Sequence, residues 1–332
     1  MTVGEVSLGW GRVSTVAGTL ALAVIGSLLA GCGVGGESVA ELDSNTRCSD
    51  SLEPGVVEES GEFDGRLRSW RLAVPSDPVG IIFSFHGTGG SIEAQDAITN
   101  LSAEGTARGY VVVTPQGLEA PERWTVPGIP GPDDISFVSD LLAQVRQRGC
   151  IDGPAFATGH SSGASMSTQL ACETDLFTGV APVAGVSLYR RCPTGQPISV
   201  LSYHGTEDNW VPYEGPDGWE EDEANDEGYF IGDPVSSMAS FAERAGCDPD
   251  PSSEPLGDDT TVLVWSCPDG HRVEFYTVEG AGHSHPGQHA RDTYRSLGNL
   301  SRVEKTTATF DGTAVMLDFF DSVRSGTSES RG

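Results

Sequence analysis

The sequence predicts an α/β fold in which a mostly parallel central sheet carries helices on both faces. Three observations support it: apolar runs of strand length without polar alternation, helical-period segments between them, and a strand-turn-helix pattern near residue 160. The 332 residues, 37% of them apolar, suffice for one large core of this kind. The runs span 79–85, 110–114 and 198–203, each too short for a helix and bounded by turn residues, which suits strands buried on both faces. Ahead of them, Asp64-Gly65 separates two alternating runs, the second at 66–74. That pattern reads as a hairpin, so the sheet opens antiparallel. Residues 133–148 place Ile135, Val138, Leu141, Leu142 and Val145 on one helical face, with Asp133 and Asp134 where a helix amino terminus favours acid. Shorter strands at 155–158 and 273–278 and a closing helix at 313–323 complete the alternation of a wrapped parallel sheet. Such sheets bind ligands beyond the carboxyl ends of their strands.

The amino-terminal segment reads as an export signal. Residues 13–30 are apolar and end in Leu28-Leu29-Ala30-Gly31-Cys32, which resembles a bacterial lipobox. Residues 1–31 are therefore expected to be a lipoprotein signal peptide. Cys32 would be the lipidated first residue, 32–55 a Gly/Ser/acid-rich tether, and 56–326 the folded domain. An uncleaved anchor is the alternative; in either case the domain lies outside the cytoplasm, at the cell surface. The formal charge of −29, from 48 acidic and 19 basic residues, repels polyanions and excludes nucleic acid as a partner. We expect a monomer.

Apart from Cys32, six cysteines remain: Cys48, Cys150, Cys172, Cys192, Cys247 and Cys267. An even number in an exported chain favours three disulfides, and no C-x-x-C pair supports a metal-thiolate site. Nearest-neighbour pairing joins Cys172 to Cys192 and Cys247 to Cys267, leaving Cys48 for Cys150. Other pairings remain open.

The strongest chemical signal is Gly159-His160-Ser161-Ser162-Gly163, which follows the 155–158 strand and precedes a helical run at 164–167. This is the setting of a nucleophile elbow, where a serine on a strained turn projects its hydroxyl from the top of a sheet. The glycine spacing selects Ser161 over Ser162. A serine nucleophile needs a base, and the base needs a carboxylate to fix its tautomer. Tyr203-His204-Gly205-Thr206-Glu207-Asp208 ends a buried strand in turn residues, which makes Asp208 the acid, with Glu207 as runner-up. Gly280-Ala281-Gly282-His283 follows the 273–278 strand and supplies His283 as base. The oxyanion needs preorganised donors; the backbone N–H groups of Ser162 and of Thr88, in Phe85-His86-Gly87-Thr88-Gly89-Gly90, are the candidates. His86 is expected to shape that loop by packing and hydrogen bonding.

A rival arrangement gathers His283, His285 and His289 around zinc, but the spacing differs from H-E-x-x-H and Pro286-Gly287 interrupts any helix. His285 and His289 are instead expected at the rim of the site. Trp124, Trp210 and Trp219 lie in loops near the expected mouth, where stacking on a ring is open but packing is the simpler role. The acidic stretch 217–233 reads as a solvated insertion over the site.

As a set, the 85–90 loop, the Gly159–Gly163 elbow, the 203–208 motif with Val211-Pro212-Tyr213, and Gly282-His283 with Pro286-Gly287 resemble the polyhydroxybutyrate depolymerase and feruloyl esterase family. The likeness runs over nearly everything from residue 66 to 323, including Ala181-Pro182-Val183-Ala184-Gly185. It implies an α/β-hydrolase fold, a triad at Ser161, Asp208 and His283, and hydrolysis of carboxylic esters such as hydroxycinnamoyl sugars or short polyesters. No metal or organic cofactor is implied. Two departures stand out: Ser162 where members often carry Asn, and His285 where they often carry Trp, the second bearing on the acyl or aryl pocket. The alternative is a surface lipoprotein that binds a ligand or metal on a hydrolase scaffold without turnover.

Overall fold

The computed structural model describes residues 52–118, 122–125, 131–186, 188–189, 196–215, 229–230, 232–299, 302 and 305–329. All belong to one unit, Arg47–Gly332. The segments read as signal peptide and tether, apart from 52–55, together with Cys32, Cys48, Cys192, Trp219 and nearly all of the acidic stretch 217–233, lie outside the described residues.

The predicted hairpin is strands β1 (Gly55–Phe63) and β2 (Arg66–Val74), antiparallel and closed with Phe63 opposite Arg66. Asp64 and Gly65 both have positive φ, 48° and 68°, as a two-residue turn matching strand twist requires. Then follow β3 (Gly80–Phe85), helices α1 (Ile92–Thr99) and α2 (Leu101–Ala107), and β4 (Tyr110–Pro115). Next come α3 (Asp134–Gly149), β5 (Ala155–His160), α4 (Ser162–Glu173) and β6 (Gly179–Val183). Strand β7 (Leu188–Tyr189) pairs with β9 (Tyr229–Phe230) in a small separate ladder, β8 (Ser199–Gly205) lying between them in sequence. The chain continues through α5 (Pro234–Arg244), β10 (Ser252–Leu256), β11 (Thr260–Trp265), β12 (Val273–Val278), α6 (Gln288–Ser296) and α7 (Gly312–Glu329).

The main sheet runs β1-β2-β4-β3-β5-β6-β8-β12-β11-β10. Its six central strands, from β4 to β12, are parallel, and antiparallel strands flank them on both sides. The mostly parallel sheet expected from the apolar runs is therefore present. The β10–β11 hairpin went unread because its exposed edge strand, Ser252–Leu256, has no apolar face.

Burial on both faces explains the absence of alternation. Ile81, Phe83 and Phe85 pack with Phe137, Leu141, Met166, Leu170 and Phe241 on one side, whereas Ile82 packs with Leu101, Phe156, Met316, Leu317 and Phe320 on the other. Each fully buried side chain of this size contributes about 1.5–3 kcal/mol. Helix α3 begins where read: the Asp133 side chain accepts from Ser136 N, and Cys150 caps the carboxyl end in the left-handed region. Asp134 does more than complement a dipole. It is buried, bonded to Arg68 Nη2 at 2.6 Å and accepting from Thr125 N at 2.8 Å.

Cys247 and Cys267 form a disulfide, as nearest-neighbour pairing predicts. Cys150 and Cys172 are also disulfide-bonded, to partners outside the described residues. A chain so cross-linked suits an oxidising compartment.

Candidate active site

Strand β5 runs into α4 through Ser161, whose φ of 57° and ψ of −119° a non-glycine residue rarely adopts. Strain of this kind costs about 1–3 kcal/mol and persists where the surroundings enforce it. The enforcement here is steric: a methyl group on Gly159 would sit 2.4 Å from Gly163 O, and one on Gly163 would sit 2.2 Å from Phe85 O. Both glycines of the motif are thus dictated by close backbone approach. Ser161 N donates to Val183 O at 3.0 Å, tying the turn to the carboxyl end of β6.

The carboxylate expected to serve as the acid lies just beyond the end of β8. Asp208 Oδ1 accepts from Trp210 N at 2.8 Å and Val211 N at 2.9 Å, and Oδ2 accepts from His283 Nδ1 at 2.7 Å. Burial alone would raise this carboxyl, but hydrogen bonds from His204 and His283 outweigh it and hold Asp208 well below the usual carboxylate range. The carboxylate is ionised, so Nδ1 of His283 carries the proton and Nε2 is left basic. The runner-up Glu207 is exposed and pairs with Lys305.

The imidazole of His283 lies against that of His160, ring centroids 4.5 Å apart, which brings the base beside the elbow. Ser161 Oγ and His283 Nε2 are not hydrogen-bonded to one another among the described residues. In an unliganded enzyme this bond is often long and tightens when substrate is held. His160 is driven far below its ordinary value, first by burial and then by the neighbouring His283, so it stays neutral beside the base.

The loop after β3 faces the elbow from the other side. A methyl group on Gly87 would come within 3.2 Å of Ser161 Cβ and His160 O, which locates the Gly87–Thr88 peptide next to the nucleophile. Among the described residues, neither Thr88 N nor Ser162 N has an acceptor. His86 shapes this loop, as expected. It is 1% exposed, its Nε2 accepts from Gly117 N at 2.9 Å, and its Nδ1 donates to Gly87 O at 2.8 Å. Burial lowers its basicity. Trp124 is buried and donates from Nε1 to His86 O at 2.9 Å, so it packs and braces. Trp210 is 80% exposed, which corrects the packing role expected of it.

The rim assignment of His285 is also corrected, whereas His289 is exposed. His285 is 3% exposed and donates from Nε2 to Thr313 Oγ1 at 3.0 Å, and His289 on α6 reaches Ala97 O at 2.9 Å. After β12 the chain packs against the start of α7, where Gly312 and Thr313 meet His285. Their nitrogens and those of His283 therefore point to separate partners. Sequence reasoning missed His160 and His204; each sits inside a motif chosen for its neighbour, and nothing in its spacing marks it. A cavity of about 790 Å³ lies at the opposite end of the sheet, lined by Val79, Pro154 and Thr178 just ahead of β3, β5 and β6. None of the residues above reaches it.

No protein-family model matches the chain. A putative esterase, NocK, from Nocardia uniformis subsp. tsuyamanensis is 32% identical over 255 residues, covering 67% of this chain and 72% of that protein. This chain belongs to the same esterase family. Feruloyl esterase B of Piromyces equi is 24% identical over 215 residues, 61% of this chain; the esterase spans only 39% of that relative's length. Among solved structures, an acetyl xylan esterase from Aspergillus awamori aligns with a TM-score of 0.49 and 15% identity, covering 73% of this chain and 99% of its own.

Proposed function

We propose that this esterase cleaves carboxylic esters by two-step acyl transfer with Ser161 as nucleophile, His283 as general base and acid, and Asp208 as the residue orienting it. The observation that carries the reading is the 2.7 Å bond from His283 Nδ1 to Asp208 Oδ2, made beside the strained elbow at Ser161. In the first step Ser161 Oγ attacks the ester carbonyl and its proton passes to His283 Nε2. The tetrahedral oxyanion is held by the N–H groups of Thr88 and Ser162. Collapse expels the alcohol, which takes the proton from His283 and leaves the acyl group on Ser161. Water then gives a proton to His283, attacks the acyl-serine and releases the acid as Ser161 recovers its proton. This chemistry needs no metal or organic cofactor.

The feruloyl esterase among the similar proteins favours esters of sugars with hydroxycinnamic acid over short polyesters. We place the mature protein outside the cell on a lipid at Cys32, a reading supported by the lipobox-like segment and by the disulfides. The test is fluorophosphonate labelling of the purified domain with peptide mapping, alongside Ser161→Ala. We expect one labelled peptide, residue 161 modified, and loss of p-nitrophenyl acetate hydrolysis in the variant. Labelling at another serine, or full activity in Ser161→Ala, would refute the assignment.

A further inference from the structure

We infer that His204 is a positioning residue for the acid, holding the Asp208 turn in the shape that presents its carboxylate to His283. The inference rests on the triad reading above and extends it to a second histidine.

His204 lies in the parallel strand β8, opposite Thr277 of β12, four residues before Asp208. Its side chain is 1% exposed and that of Asp208 is 0% exposed. His204 Nε2 is 2.8 Å from Val211 O and 3.3 Å from Asp208 Oδ2. A carbonyl oxygen can only accept, so Nε2 carries the hydrogen and donates it to Val211 O, with Asp208 Oδ2 in the longer contact. Val211 is thereby gripped at both ends of its backbone: its carbonyl accepts from His204 and its N–H donates to Asp208 Oδ1. The carboxylate then has three hydrogen-bond donors, Trp210 N, Val211 N and His283 Nδ1, with His204 Nε2 3.3 Å from Oδ2 beside them. Together these contacts hold its orientation toward His283.

Two further observations favour this role over simple core filling. The other ring nitrogen, Nδ1, is buried without a partner, a state that costs stability and that a phenylalanine of similar shape would avoid. Such a cost persists where the opposite nitrogen is needed. The ring is also fixed from outside the turn: Tyr213 meets it edge-on with centroids 5.9 Å apart, and Tyr213 Oη is anchored on Thr277 Oγ1 at 2.8 Å.

The test compares His204→Phe, which keeps the volume and removes the donor, with His204→Gln, whose amide nitrogen reaches the position of Nε2. Turnover of p-nitrophenyl acetate is measured on protein shown to be folded by circular dichroism and thermal melting, with wild type and Ser161→Ala beside it. Losing one hydrogen bond that orients a charged group in the reacting system lowers the rate on the order of 10–100-fold. We expect His204→Phe to lose kcat by that factor with KM within about twofold, and His204→Gln to recover most of the loss. Unchanged kcat in folded His204→Phe overturns the inference. Equal loss in both variants, scaling with their loss of folded protein, overturns it as well. Activity retained in Ser161→Ala would instead strike the triad reading itself.

Discussion

Asp208 and Thr88 stand on opposite sides of the nucleophile in loops of contrary construction. In the 204–213 loop every carboxylate oxygen of the acid is occupied by donors. In the 86–90 loop His86 is braced in both main chain and side chain, by Trp124 Nε1 on its carbonyl oxygen and by Gly117 N on its Nε2, while the Thr88 N–H is left open. Under the proposed mechanism the two loops have different tasks. A group that must hold one orientation and one charge is best saturated with partners. A group that must meet charge appearing only in the transition state is best held rigid and vacant. The frame of the second loop is itself anchored, because Thr125 N, next to Trp124, is fixed by the buried Asp134–Arg68 pair.

The comparison can be broken first on the saturated side. Asp208→Asn removes the negative charge and permits the wrong histidine tautomer, so kcat should fall by about 10⁴-fold. Steady-state kinetics at pH 7 check this, and a loss under tenfold would deny Asp208 its orienting role.

The anchor of the vacant loop comes next. Arg68→Leu strands Asp134 as an unpaired buried charge, for which a destabilisation of about 3–5 kcal/mol is expected. Urea unfolding measures it, and Arg68→Lys should recover part of the loss.

A pH experiment sharpens the contrast further. Because the Asp208 carboxyl is depressed in the folded state, its contribution is fully present above the ordinary carboxylate value of about 3.9 and is lost as pH falls through the lower folded value. Wild type should therefore lose more stability between pH 5 and pH 2.5 than Asp208→Asn. Denaturant midpoints across that window read the difference, and parallel curves would contradict it.

The smallest effect concerns the brace. Trp124→Phe keeps the ring against Phe85, whose centroid lies 5.0 Å away, and deletes a single N–H. One such bond is worth about 1 kcal/mol, so kcat should drop by roughly five- to tenfold with KM little changed. A change confined to KM would place Trp124 in substrate binding.

Much of this architecture is written locally. Apolar runs buried on both faces, the Asp64-Gly65 turn and the Asp133 cap depend on a few adjacent residues, so strands, hairpin and helix α3 were legible in the sequence. The G-x-S-x-G motif was legible from its spacing alone, although the contacts that require its glycines come partly from β3, where Phe85 O faces Gly163. Partnership was not. His285 reads like a rim residue beside His283 yet is buried against Thr313, and Trp210 reads like packing yet stands in solvent. Neither outcome has a signature in flanking residues, because each depends on which distant element covers the position.

The order of residues thus determined on its own which segments form buried strands, where the chain must turn, and which serine sits on a strained elbow. All of these follow from side-chain volume, backbone freedom and hydrophobic period over short stretches. Only the tertiary structure decided that Asp208 is served by two histidines, that Trp124 braces the loop facing Ser161, and that an arginine on β2 fixes the acid leading α3. Hydrogen bonds and burial join atoms brought together by the folded sheet, and their strength depends on distances and exclusion of water that sequence separation does not encode.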